Sequence, residues 1–316
     1  MGTASNLSTV NVGHSLPALD FAPFFVADAL GYFKEEGLAV RTLFDPDREP
    51  PIQKFLAGAL DCLLTGPLRT FDLEHRGVRP PAPSIVTINH KCPFYLVSKK
   101  PEPALQLEDL QGKRVILYGG SPPPNLLLKH LVRMADIAPG SMHWLEGIVG
   151  DDQIRALDRG EGDYALLTQP EVELLLAEGR GYIALSLVEH MGPLHFSTVV
   201  ASRRFLDEHP MRARGIARGV QRAKRWMAKQ SSTALAELAG PSAPQLNRDL
   251  LRRIIRRALA DEYWVGAAAM PRWHYEWLKR AYSTESRAHK PVAFADGVHN
   301  QFADEVTRSE LQEEDR

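Results

Sequence analysis

The sequence predicts an α/β protein with two lobes and a ligand cleft between them. Helix-like and strand-like segments alternate in two series, one on each side of the proline-rich stretch 80–83, which predicts sheets with helices on their faces. In each series an Asp precedes a short apolar strand that ends in a Thr-x-Pro turn, at residues 65–67 and 168–170. Ligands of open parallel sheets bind beyond the carboxyl ends of the strands, so both turns are expected at the cleft. A length of 316 residues suits two lobes or one large α/β domain.

The first series reads strand, helix, strand, helix, strand. A helix is expected from Phe21, since Pro23 suits a first helical position and Gly37 is placed to end it. The run after Gly37 alternates as a strand does, until the proline-rich segment 45–51 breaks it. The predicted order is a strand at 9–12, the helix from Phe21, a strand at 38–44, a helix at about 52–60 and a strand at 62–64.

The second series repeats this alternation after residue 83. Apolar runs predict strands, and the stretches between them have helical spacing or a glycine stop. The strands are expected at 85–88, 94–97, 114–118 and 164–167, and the helices at 107–112, 126–134 and 151–159.

The C-terminal third is predicted to be helical and rich in arginine, with helices at 217–227 and 247–263. In the second of these helices apolar side chains form one face and arginines the other. Because acidic residues elsewhere balance these arginines, we interpret that face as solvated rather than as a membrane or nucleic-acid surface. The stretch 304–316 is predicted to be a polar tail that frays.

Composition argues against several classes of protein. Lys and Arg number 38 against 39 Asp and Glu, and the net charge of -1 argues against a nucleic-acid partner. No apolar run is long enough for a membrane span, so we expect a soluble chain. Cys62 and Cys92 form neither a disulfide framework nor a zinc motif. We interpret them as buried thiols, with one disulfide as the alternative, and expect neither a metal nor a cofactor.

The N-terminus shows no basic stretch followed by an apolar run of about 7 to 15 residues, so no secretory signal is visible. We expect a periplasmic or extracytoplasmic location if a leader has been removed. If the chain is complete as given, we expect a cytoplasmic one.

Five stretches, in order, resemble one family of transport proteins. They contain GYFKEEGL, GALDCLLTGP, LEDLQGKRV, DQIRALDRGEGD and STVVASRRFLDEHP, and they lie at 22–38, 58–67, 107–115, 152–163 and 197–210. The chain resembles the solute-binding proteins of ABC importers, specifically the nitrate/sulfonate/taurine and thiamine-pyrimidine-precursor group. The resemblance covers about residues 9–300.

The resemblance implies a two-lobed periplasmic-binding-protein type II fold, in which two crossover strands join the α/β lobes. Lobe 1 would consist of residues 1–92 and 195–303, and lobe 2 of residues 93–194, with crossings near 89–94 and 191–198. The implied function is a non-catalytic receptor that closes on a small organic solute and delivers it to an ABC permease.

The family pattern places ligand loops at 19–21, 65–67, 119–121 and 168–170. Asp20-Phe21 stands where many thiamine-precursor binders carry Asn-His, which weakens the transfer of that ligand. Phenylalanines 21, 24 and 25 could stack on a planar ligand or simply pack their helix, and polar groups near the crossings, such as His90, could orient a ligand or be structural. Arg69 could pair with a carboxylate. The candidate ligand-binding residues are Asp20, Phe21, Phe24, Thr65, Gly66, Pro67, Asn89, Gly119, Gly120, Ser121, Thr168, Gln169, Glu189 and His195.

The turn at 119–121 predicts the chemistry of the ligand. In this fold such a turn opens a helix whose free N–H groups can hold a sulfonate, nitrate or phosphate. Ser121 suits an N-cap, but Pro122, Pro123 and Pro124 have no N–H to donate. We therefore expect a ligand that is neutral, zwitterionic or aromatic, including heterocyclic solutes.

The alternative function is a cytoplasmic enzyme on the same fold, because the family also resembles thiamine-pyrimidine synthases and aromatic desulfinases. The Cys-rich motif of the synthases is absent. A desulfinase-like enzyme would need an activated thiolate, for which Cys92, with His90 and Lys91 beside it, is the candidate.

Overall fold

The structure is a computed structural model that describes residues 7–16, 18–103, 105–240, 243–285 and 292–314. The strands of these residues form two sheets of five. In chain order the strands are β1 (Ser8–His14), β2 (Leu38–Phe44), β3 (Cys62–Thr65), β4 (Ser84–Asn89), β5 (Tyr95–Ser98), β6 (Arg114–Ile116), β7 (His143–Leu145), β8 (Tyr164–Leu167), β9 (Tyr182–Ser186) and β10 (Ser197–Ala201).

The two sheets share one topology. The first has the order β2-β1-β3-β10-β4 and the second the order β7-β6-β8-β5-β9. In each sheet three neighbouring strands are parallel, and the fourth strand runs antiparallel to both of its neighbours. The fourth strand comes from the far side of a crossing: β5 follows β4 into the second sheet, and β10 returns the chain to the first. The chain therefore passes twice between the sheets.

Helices cover the sheets and form most of the C-terminal third. They are α1 (Ala22–Ala29), α2 (Tyr32–Glu35), α3 (Glu49–Leu56), α4 (Arg69–His75), α5 (Pro122–Met134), α6 (Asp151–Asp158), α7 (Glu171–Ala177), α8 (Leu187–Met191), α9 (Arg203–Glu208), α10 (Pro210–Met227), α11 (Ser232–Ala239), α12 (Arg248–Ala260), α13 (Arg272–Glu285), α14 (Phe294–Gly297) and α15 (Gln301–Glu314). Short 3-10 turns occur at Ala18–Phe21, Leu107–Leu110 and Pro139–Ser141.

Each sheet has its own apolar core. In the first, Val10 and Val199 of the sheet pack with Phe24 of α1 and Ile216 of α10. In the second, the buried side chains of β6 and β8 pack with α5, and α13 lies against α5 in the same core. The C-terminal region therefore contacts elements of both sheets.

Most predicted elements are present within one or two residues, and the differences have local causes. The helix expected from Phe21 to Gly37 is broken, because Gly31 adopts a left-handed conformation at φ 77° between α1 and α2. Helix α3 begins at Glu49, earlier than expected, because Pro50 and Pro51 fit its first turn. The strands β7 and β9 were not predicted; β7 is only three residues long, whereas β9 has an apolar run like that of β8 and was simply missed.

The stretch from residue 304, predicted to fray, is helical to Glu314 as part of α15. Val306 within it is buried, beside Phe302 and Ala303 at the beginning of the helix. Its polar composition hid one apolar stripe at helical spacing. Residues 315–316 lie outside the described residues.

Candidate functional site

A cavity of about 630 Å³ lies between the two sheets. It lies where parallel strands of both sheets end, the position at which open α/β sheets bind ligands. The residues at strand ends that line it are Ser15 and Leu16 after β1, Thr65 at the end of β3 with Gly66 after it, Tyr118 after β6 and Thr168 after β8.

Half of the predicted ligand-binding residues line this cavity. Asn89 stands at the end of β4, and Ser121 is the residue before α5. The members of this half are Asp20, Phe21, Thr65, Gly66, Asn89, Ser121 and Thr168.

Three of the other predicted residues are held away from the cavity by packing or by exposure. Phe24 is fully buried in the first core, with its ring 4.9 Å from that of Phe33. Pro67 is buried before α4, and Glu189 is exposed on α8.

The remaining four also lie outside this cavity. Gly119 lies against the backbone of Ile148 and Val149, and Gly120 lies over the Tyr118 ring. Gln169 lines a smaller cavity of about 60 Å³ behind the first. His195 belongs to a buried cluster described below.

Aromatic side chains that sequence reasoning missed form one wall. The rings of Phe94 and Tyr118 meet edge to face at 4.9 Å, and Phe196 lies 5.9 Å from Phe94. Phe94 and Phe196 stand on the two crossings, next to positions that the sequence did single out. An aromatic residue beside a predicted crossing was the available signal. This wall can contact a planar or apolar ligand.

Asn89 presents an unused hydrogen-bond acceptor. Its Nδ2 donates to the Asp20 carbonyl at 2.5 Å and to the Tyr263 hydroxyl at 2.7 Å. Its Oδ1 is buried and has no hydrogen-bond partner among the described residues. Since a buried acceptor without a partner costs about 1–3 kcal/mol, a ligand donor at this position would recover that free energy.

Asp20 is half-buried beside Asn89. Burial, together with the nearby Glu171 carboxylate, raises the pKa of the Asp20 carboxyl to about 7. Burial and then the Asp20 charge raise the pKa of the Tyr118 hydroxyl to about 12, so that hydroxyl stays protonated and able to donate.

Arginines line the side of the cavity near α3 and α4. Arg69 pairs with Asp72 at 2.5 Å, and Arg76 pairs with Glu49 at 2.7 Å. Arg48, directly before α3, is half-buried, and its pKa is lowered by burial and by the Arg69 charge. The sequence did not indicate Arg48, because it lies in the proline-rich segment 45–51, which was interpreted only as the loop that ends the preceding strand.

The beginning of α5 offers few donors. Pro122, Pro123 and Pro124 occupy its first turn, where N–H groups are otherwise free. The Asn125 side chain is engaged with the Tyr118 backbone, through a donated and an accepted hydrogen bond of 2.8 and 2.9 Å. The N–H groups of this helix end therefore form a poor cradle for an oxyanion.

Comparison with known proteins places this architecture in a family. A family model described as "NMT1/THI5 like" matches residues 18–234. The chain belongs to the NMT1/THI5-like family. It is also 20% identical over 302 residues to the Bacillus subtilis (strain 168) protein named "Putative binding protein YtlA", with 95% of this chain and 90% of that protein covered.

Solved structures share the fold of this NMT1/THI5-like chain. The periplasmic aliphatic sulphonate binding protein SsuA from Escherichia coli matches with a TM-score of 0.73 and 14% identity over 92% of both chains. The periplasmic nitrate-binding protein NrtA from Synechocystis PCC 6803 matches with a TM-score of 0.71 and 13% identity, over 96% of this chain and 89% of that chain. The predicted two-lobed periplasmic-binding-protein fold is confirmed.

Two histidines of the NMT1/THI5-like chain, His90 and His195 in the crossing segments, lie in a buried cluster outside the cavity. Nζ of Lys224 lies 2.6 Å from Nε2 of His90 and donates to the Gly266 carbonyl at 2.9 Å. A 2.5 Å hydrogen bond joins Nδ1 of His195 to Oγ1 of Thr87. Burial, with smaller contributions from His274 and Lys224, lowers the pKa of His195 to about 3. Because these groups bond one another, His195 is withdrawn from the predicted ligand site.

Cys92 has none of the surroundings that a reactive thiol needs. It is fully buried, and burial raises the pKa of its thiol. Cys62 is also fully buried with a raised thiol pKa, for the same reason. Among the described residues no group of three or more His, Cys, Asp or Glu side chains could hold a metal ion. In the same part of the chain, no helix has the length and apolarity to cross a membrane.

Proposed function

We propose that this protein is a receptor that binds a small organic solute between its two sheets and delivers it to the permease of an ABC importer. The cavity of about 630 Å³, lined from both sheets, carries the proposal. Its volume falls within the usual range for small-molecule sites, about 300–1,000 Å³. Relatives of the same fold include proteins named for binding sulphonate and nitrate.

The two crossings supply the hinge that such a receptor needs. They are short, residues 90–94 between β4 and β5 and residues 192–196 between α8 and β10. Phe94 and Phe196 line the cavity from these segments, so a ligand would contact the hinge itself. Closure of the lobes around a bound solute is the expected motion of this fold.

The ligand we propose is neutral, zwitterionic or aromatic rather than a simple oxyanion. The three prolines in the first turn of α5 remove the N–H groups that would hold a nitrate or an alkanesulfonate at that helix end. Tight binding of ethanesulfonate that is lost when residues 119–121 are mutated would contradict this.

A thermal-shift screen tests receptor function. The purified chain is heated with alkanesulfonates, pyrimidines, flavins, amino acids and aromatic acids, because a ligand of the folded state raises Tm. Ser121→Phe adds a large side chain to the cavity lining at a position with no side-chain cap hydrogen bond, and it should abolish the shift of any hit. Met211→Phe, on an exposed position, is the matched control and should retain the shift.

Mass spectrometry of the recovered ligand completes the test. A ligand returned unchanged supports a receptor, whereas a converted ligand would show an enzyme. If no solute of any class shifts Tm, or if every shift persists in Ser121→Phe, the receptor proposal is wrong.

A further inference from the structure

The charged side chains of the cavity divide into those with partners and those without. Arg69, Arg76, Asp72 and Glu49 form a chain of ion pairs, in which Arg76 also lies 3.3 Å from Asp72. Asp47 accepts a hydrogen bond from the Glu49 N–H. The carboxyl of Asp20 and the guanidinium of Arg48 make no hydrogen bond or ion pair with any residue that the structure describes.

Within the described part of the chain, Arg48 is therefore an unpaired cation in a confined place. It is half-buried, and the nearby Arg69 repels it instead of compensating it. A guanidinium in this situation is matched by a planar acidic group that accepts two N–H bonds, such as a carboxylate, or by a phosphate. The charged side chains Arg69, Asp72, Arg76 and Glu49 of the same cavity pair with one another, so the partner of Arg48 would come from the ligand.

At Asp20 the ligand would have to donate hydrogen bonds, whereas at Arg48 it would have to accept them. When ionised, the Asp20 carboxyl accepts hydrogen bonds, as the Asn89 Oδ1 does, and neither receives one from the described residues. Asn89 cannot turn its amide to donate here without losing its bond to the Asp20 carbonyl, because a carbonyl oxygen can only accept. A ligand N–H group, as an amino or ammonium group, would satisfy both acceptors.

Tyr118 links the two positions. It lines the same cavity as Asp20 and Arg48, and with Phe94 and Phe196 it forms the aromatic wall. A ring on that wall can carry one substituent toward each charge.

We propose that the ligand is an amphoteric aromatic solute, whose acidic group pairs with Arg48 and whose N–H group donates hydrogen bonds to Asp20 and Asn89. This proposal rests on the receptor function proposed above. It names Arg48 and Asp20 as the residues that determine specificity at the two ends of the ligand.

Matched probes test the class, with dissociation constants from calorimetry. One set is 4-aminobenzoate, benzoate and aniline; the other is pterin-6-carboxylate, quinoxaline-2-carboxylate and pterin. In each set the first member has both groups, the second only the carboxylate and the third only the amine. In at least one set the first member should bind at least tenfold more tightly than either of its analogues.

Two variants test which residue binds the acidic group of the ligand and which binds its N–H group. Arg48→Gln should weaken the two-group probe at least tenfold and leave the amine-only probe within threefold. Asp20→Asn should weaken the two-group probe similarly and leave the carboxylate-only probe within threefold. Arg253→Gln is the matched control: it changes an exposed arginine of α12 outside the cavity lining, and it should change every affinity by less than threefold.

Several outcomes overturn the proposal. In one, neither two-group probe binds better than its analogues; in another, both variants weaken all probes equally. If such a result accompanies a Ser121→Phe-sensitive shift by another class of solute, the amphoteric ligand is wrong and the receptor function stands. If no solute of any class binds, both proposals fail together.

Discussion

Two groups of polar side chains differ in where their hydrogen bonds go. The first, which we call the closed cluster, consists of Thr87, His90, His195, Lys224 and the Gly266 carbonyl, and its members bond one another. The second, the open group, consists of Asp20, Arg48 and Asn89 on the cavity wall, and it retains unused donors and acceptors.

The difference shows how burial separates structure from binding. A buried polar group contributes to stability when its partners are supplied by the chain, and it costs stability when they are not. Changes in the closed cluster should therefore destabilise the protein without altering the cavity. Changes of Asp20 or Arg48 in the open group should alter ligand binding and leave the free protein as stable or more so, as at many functional sites.

The largest expected effect is that of Lys224→Met. Methionine keeps the length of the stem, but it leaves His90 Nε2 and the Gly266 carbonyl buried without a donor. We expect a loss of about 3 kcal/mol in the free energy of unfolding, measured by urea denaturation. Lys54→Met, at an exposed position, should change it by less than about 0.5 kcal/mol. An equally small effect of Lys224→Met would show that the closed cluster contributes nothing to stability.

The second-largest expected effect is the loss of folding stability at acidic pH. The folded-state pKa of His195 is about 3, below its ordinary value of 6.5, so the unfolded chain binds the proton first and stability falls as the pH falls below about 6.5. From pH 7 to pH 5 this single residue should account for a loss of about 2 kcal/mol.

His195→Asn removes that titration while keeping a polar group opposite Thr87. Its stability should be lower at pH 7 but should fall less steeply toward pH 5 than that of the unmodified protein. His143→Asn, an exposed histidine, serves as the control and should leave the slope unchanged. Identical slopes in all three proteins would remove His195 from the explanation.

The comparison also explains what the sequence could and could not predict. Thr65, Gly66 and Thr168 were predictable because they follow short apolar strands whose carboxyl ends must meet in a parallel sheet. Lys224 contacts His90 across 134 residues of chain, so no local pattern could show that this histidine had a partner. For the same reason His195 was predicted to bind the ligand. The sequence does not show whether a polar residue beside a crossing faces the cavity or packs in the interior.

Arg48 and Tyr118 were missed for another reason. Arg48 stands among prolines and aspartates that mark a break between β2 and α3, and such a segment carries no periodic signal. Tyr118 follows a buried strand and reads as its last residue. What makes both residues part of the site is the second sheet's approach to the first, which depends on the two crossings and not on neighbouring residues.

The smallest effect, and the one of opposite sign, should come from Asp20→Asn in the ligand-free protein. Burial and Glu171 raise the folded-state pKa of Asp20 to about 7, so the stability present below about pH 4 is lost as the pH rises through 7. Asparagine carries no charge to desolvate, and at pH 8 it should stabilise the free protein by about 1–2 kcal/mol, given that solvent reaches the half-buried carboxyl. At pH 3 the two proteins should have nearly equal stability in urea denaturation, because the carboxyl is then largely protonated in both states. Destabilisation at pH 8 would mean that Asp20 already has a partner within the chain, and the open group would lose the property that sets it apart from the closed cluster.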